Sequence, residues 1–72
     1  MMRPSIDEIN ALKDTYPPGS RIRCIFMDDR RPVPPNTMGT VRTIDDMGQI
    51  HVSWDNGSRL ALNVDDDLFE SA

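Results

Sequence analysis

Apolar side chains alternate with polar ones along three stretches of this chain, the period-two signature of strands with one buried face. Ile22, Cys24 and Phe26 mark one face of a first strand over 21–27, with Arg21, Arg23 and Ile25 on the other. Ile50, Val52 and Trp54 alternate with Gln49, His51 and Ser53 in a strand over 49–54, and Leu60 and Leu62 face inward from one over 58–62. Between them, Val41 and Ile44 stand three apart within GTVRTID (39–45), which predicts a β-bulge near Arg42. Gly39 is expected to admit another backbone at close range. Asp55-Asn56-Gly57 links the third and fourth strands, since Asn-Gly tolerates the positive φ of a hairpin turn. Residues 63–67 read as one helical turn, and Leu68-Phe69 as a short fifth strand.

The amino-terminal part has a different period. Ile6, Ile9, Leu12 and Tyr16 recur at helical spacing, so 5–16 is predicted to be a helix with a narrow apolar stripe. Ser5 and Glu8 fit a capping box, and Pro17-Pro18-Gly19 stops the helix. Residues 28–37 (DDRRPVPPNT) are too rich in proline to join a sheet and read as a loop. The whole order predicts an all-β fold with a short N-terminal helix: a helix over 1–16 and a five-stranded SH3-like small barrel over 17–72, in a single domain.

The segments YPPGSRI, MDD with its proline-rich loop, GTVRTIDDMGQIHVSWDNGSRLAL and VDDDLF resemble a family of short bacterial proteins, the domain-of-unknown-function family 4314. The likeness runs over about 16–69, and WDNGS with the preceding IDDMG turn is its most specific part. It implies an SH3-like barrel, frequently encoded in prophages and conjugative elements, and no established activity or site residue. Where relatives tend to carry Pro-Gly before the last aspartate, this chain has Asn63-Val64-Asp65-Asp66-Asp67.

Charge changes the picture only when it is located. The net charge of −4 comes from the acidic stretch Asp65–Glu70, while residues 17–64 are close to neutral, with arginine as their only cation. Cys24 is the single cysteine, so no internal disulfide forms, and no apolar leader or membrane-length run is present; a reduced, cytoplasmic setting is expected. A domain of 72 residues has little room for a water-excluding cleft, and its aspartate pairs match turn chemistry better than a calcium loop. His51 reads as a solvated strand residue, Cys24 as a buried inert thiol, and Trp54 as a core residue whose indole N–H reaches a backbone carbonyl.

These features predict a non-enzymatic domain with no metal or cofactor: a protein-interaction module, in an accessory process of a mobile element or its host. The candidate partner-binding residues are Arg30 and Arg31 on the loop, with Arg23, Arg42 and His51 on the outer face of the sheet. Two alternatives stand beside it. One is a nucleic-acid-associated barrel using the same arginines; the other is an acidic inhibitor of a host defence protein, acting through Asp65–Glu70. The helical stripe leaves a monomer or a homodimer open.

Overall fold

Ser5 starts the helix as predicted, its hydroxyl accepting a hydrogen bond from the Glu8 amide at 3.1 Å. The structure, a computed structural model, describes residues 4–72; the first three residues of the expected 1–16 segment lie outside it. Helix α1 spans Ile6–Thr15, with Asp7 and Glu8 at its positive end and Lys13 in its last turn, the arrangement that suits its dipole. Ile9 is buried, and Leu12 and Tyr16 pack against the core, so most of the stripe docks on the chain's own sheet. Ile6 departs from prediction: it is 76% exposed and stands outside the core cluster. The Tyr16 ring packs against Phe69 with centroids 5.3 Å apart.

Four strands follow: β1 (Arg21–Phe26), β2 (Met38–Ile44), β3 (Ile50–Trp54) and β4 (Leu68–Ser71). They form one antiparallel sheet in the order β3-β2-β1-β4. The expected five-stranded closed barrel is corrected to this open sheet. The predicted strand over 58–62 contributes only an isolated bridge, in which Ile50 and Leu62 exchange amide–carbonyl hydrogen bonds of 2.9 and 2.8 Å. Leu62 is still fully buried, so its inward pattern was real but too short to build a ladder.

Two bulges shape the sheet. The predicted one lies between Val41 and Thr43, which pair with Val52 and His51 and leave Arg42 as the extra residue. The second lies between Cys24 and Phe26, with Ile25 extra. It turns Phe26 off the core face, so Phe26 is 53% exposed and Met27 is buried in its place. Gly39 also needs correcting. A Cβ there would lie 2.6 Å from Val52 Cγ1 and 2.7 Å from Trp54 Cε3, so the close neighbour is core side chains, not backbone.

The turns carry their own chemistry. The β3 hairpin closes through Gly57 N–H to Trp54 C=O (2.9 Å) and Trp54 N–H to Ser58 C=O (3.0 Å), and of the Asn-Gly pair only Gly57 takes a positive φ. Asn56 instead uses its side-chain oxygen to accept the Ser58 amide at 3.0 Å. Asn63 C=O accepts from the amides of Asp66 and Asp67, forming the helical turn expected over 63–67. The Trp54 indole N–H donates to Leu60 C=O at 2.9 Å, as predicted.

Candidate functional site

The sheet's outer face does not gather Arg23, Arg42 and His51 into one patch. Arg23 stands opposite Met38, and His51 opposite Thr43. The row containing Arg21, Thr40 and Ser53 separates them. Arg42, at the bulge, is adjacent in register to His51, whereas Arg23 pairs with Glu70 on β4. Arg21 was not a predicted contact residue, yet it makes the best-formed ion pair of the face. Its guanidinium donates to both Asp55 oxygens at 3.0 and 2.7 Å and to Thr40 Oγ1 at 2.9 Å. That hydrogen-bonded pairing lowers the Asp55 carboxyl and raises the Arg21 guanidinium from their ordinary values.

His51 has a carboxylate partner that its local pattern did not reveal. Its Nε2 donates to Asp45 Oδ2 at 2.9 Å, while Asp45 Oδ1 accepts the Met47 and Gln49 amides at 2.9 and 3.0 Å. Burial alone would raise the Asp45 carboxyl, but the His51 hydrogen bond and the two amides outweigh it and hold it below the usual range. The arrangement braces the turn between β2 and β3. No hydroxyl or thiol hydrogen-bonds to His51 among the described residues, so the pair orients the imidazole without an adjoining nucleophile. The signal available beforehand was the Asx-turn spacing of Asp45 to Met47 and Gln49.

Cys24 is buried, with its thiol donating toward Val33 C=O at 3.6 Å. Burial first, and the negative charge of Asp67 second, push the thiol's pKa up, which disfavours the thiolate. Among the described residues no three metal-ligating side chains come together.

The 28–37 loop is anchored at both ends. Asp67 Oδ1 accepts the Asp28 amide and its Oδ2 the Asn63 amide, each at 2.7 Å. At the other end Asn36, at φ 73°, donates its amide to Cys24 C=O at 2.7 Å, and Val33 is buried beneath the loop. Arg30 and Arg31 therefore stand exposed on a segment with fixed ends. At the foot of that loop lies a feature that alternation concealed. Phe26 pairs directly with Leu68 across β1 and β4, and Phe26, Leu68 (60%) and the bulge residue Ile25 (42%) remain exposed together. The bulge that exposes them has no signature in the unbroken apolar run Cys24–Met27. Arg30 and Arg31 follow on the loop that leaves β1 directly after this end of the sheet.

No helix among the described residues is long and apolar enough to cross a membrane. No curated protein and no solved structure matches this chain. A family model does match, over residues 5–72, nearly the full length and further in both directions than the motif segments alone. The chain belongs to the family described as a domain of unknown function, DUF4314.

Proposed function

We propose that this domain is a non-catalytic protein-interaction module whose contact surface is the end of the sheet bearing Phe26 and Leu68, together with Arg30 and Arg31 on the adjoining loop. The observation that carries it is the Phe26–Leu68 pair, left more than half exposed in a chain small enough to need its apolar residues inside. Burying such side chains gains about 1.5–3 kcal/mol each, so a partner covering them recovers what folding leaves unused. Aromatic and arginine side chains are also the residue types that dominate interface energetics. The engagement of Arg23 with Glu70 and of His51 with Asp45 moves the centre of the proposed surface away from the outer-face residues and toward the loop. A role accessory to a mobile genetic element is the context that the family resemblance suggests, and the single cysteine suggests a reduced, cytoplasmic setting.

Affinity capture with three baits tests the proposal: wild type, Phe26→Ser/Leu68→Ser, and Arg30→Glu/Arg31→Glu. All four altered side chains are exposed, so the unfolding midpoints should stay close to wild type. A protein captured by wild type and lost by both variants is the expected result. Capture unaffected by either variant would sink the idea. Binding of labelled DNA or RNA that falls steeply with salt, and is lost only with Arg30→Glu/Arg31→Glu, would favour the nucleic-acid alternative instead.

A further inference from the structure

Among the described residues, strand β4 leaves one edge without a backbone partner. The Ala72 amide donates to Arg21 C=O at 3.0 Å, and Arg23 stands opposite Glu70. On the other side of β1, the Cys24 amide donates to Thr37 C=O at 2.9 Å. Antiparallel ladders alternate, so Arg21 and Arg23 face β4, and Glu70 and Ala72 face β1. The amides and carbonyls of Phe69 and Ser71 then point outward along the free edge. Among the described residues no backbone group bonds to them there. Such an edge is a template for another strand unless it is guarded.

The surroundings define what would fit. On the outer face Ile25, Phe26 and Leu68 lie exposed beside the edge. At its beginning, Asp65 and Asp66 are exposed on the preceding turn. Exposed Asp28 and Asp29 are held near the same point by the bond from the Asp28 amide to Asp67. We propose that β4 accepts an added strand: an extended segment of a partner protein, carrying an apolar side chain to cover Phe26 and Leu68 and a lysine or arginine facing Asp65 and Asp66. Main-chain hydrogen bonds to Phe69 and Ser71 supply the docking, and the apolar and basic side chains supply selectivity. This assignment rests on the interaction function proposed above and names its mode.

A second copy of the chain suits the edge less well. Two-fold antiparallel pairing must match side-chain parity. Centred on Phe69, it sets Leu68 against the Glu70 of the copy, and centred on Glu70 it sets two carboxylates face to face. Neither register brings a cation to Asp65 and Asp66, and each chain carries a net −4. A nucleic acid is disfavoured by the same carboxylates.

Display of random short linear peptides against the full chain, with wild type, Ser71→Pro, Asp65→Lys/Asp66→Lys and Arg30→Glu/Arg31→Glu as targets, tests this. Proline at 71 removes an outward donor while sparing the ladder with β1, a position where edge strands tolerate it. Wild type should enrich sequences that alternate apolar residues and carry lysine or arginine near one end. Ser71→Pro should weaken them by about tenfold or more, a loss of about 1.4 kcal/mol. Asp65→Lys/Asp66→Lys should reverse the preference to acidic peptides, and it keeps the test valid if Ser71→Pro disturbs folding. Amide exchange at Phe69 and Ser71 should slow in the complex. Peptides that ignore Ser71→Pro and the charge reversal but are lost with Arg30→Glu/Arg31→Glu overturn the edge and leave the interaction function standing. Failure to enrich any peptide overturns the edge, and overturns the interaction function as well only if affinity capture also fails. A dimer in sedimentation that Ser71→Pro dissociates overturns it in favour of a second copy.

Discussion

Asp67 shows how one buried side chain can organise two distant segments. Its carboxylate accepts amides from Asp28, at a separation of 39 residues, and from Asn63, within its own turn. Asp67→Ala should strip both acceptors from part-buried donors and cost about 2 kcal/mol or more, read as a lower urea midpoint. Asp67→Asn keeps one acceptor oxygen and should lose roughly half of that. The aspartate triplet was legible as turn chemistry. Which of the three is buried depends on Asp28, a partner no local pattern identifies. Gly39 makes a similar point. A methyl group there must displace Val52 and Trp54, so Gly39→Ala should destabilise by about 1–3 kcal/mol, as overpacked cores do. The requirement for a small residue was visible, but the identity of its neighbour was not. Cys24 should resist thiol reagents in the folded state and react rapidly in denaturant; fast labelling of the native protein would contradict the burial described above.

At the scale of elements, legibility followed the range of the interactions involved. The α1 cap, the bulge at Arg42, the hairpin at Asp55–Gly57 and the turn at 63–67 depend on residues a few places apart, and each was read from spacing. Ser5→Ala should cost about 1 kcal/mol of helix stability, measured by thermal unfolding, because the Glu8 amide loses its acceptor. The bulge at Ile25 and the reduction of 58–62 to one bridge are settled by long-range packing: β4 must pair with β1 while Met27 enters the core. No short window encodes that choice. The candidate site was legible to the same extent. Arg30 and Arg31 were found on an exposed loop, whereas Phe26 and Leu68 were hidden by an alternation that places Phe26 inside. His51 and Asp45 lie close in the chain, yet their pairing depends on the turn that brings them together.

At the scale of the molecule, acid stability follows from Asp45 and Asp55, both held below their ordinary values in the folded state. A lowered folded pKa means that the unfolded chain binds the proton more readily. Their contribution is therefore present above the unfolded carboxylate range and lost as pH falls through the folded values. The unfolding midpoint should be level near neutrality and decline below about pH 4, less steeply in Asp45→Asn/Asp55→Asn. Added salt should weaken the exposed Arg21–Asp55 pair in the same assay. The single tryptophan offers a way to watch these changes happen. Trp54 is buried, and its indole is tied to Leu60 in the segment that lacks a ladder of its own. Its fluorescence is thus an optical gauge of that flap as well as of the core in which the ring sits. If 58–62 lifts before β1–β4 separate, emission will shift at a lower denaturant concentration than circular dichroism changes, dividing the unfolding of this small domain into two visible steps.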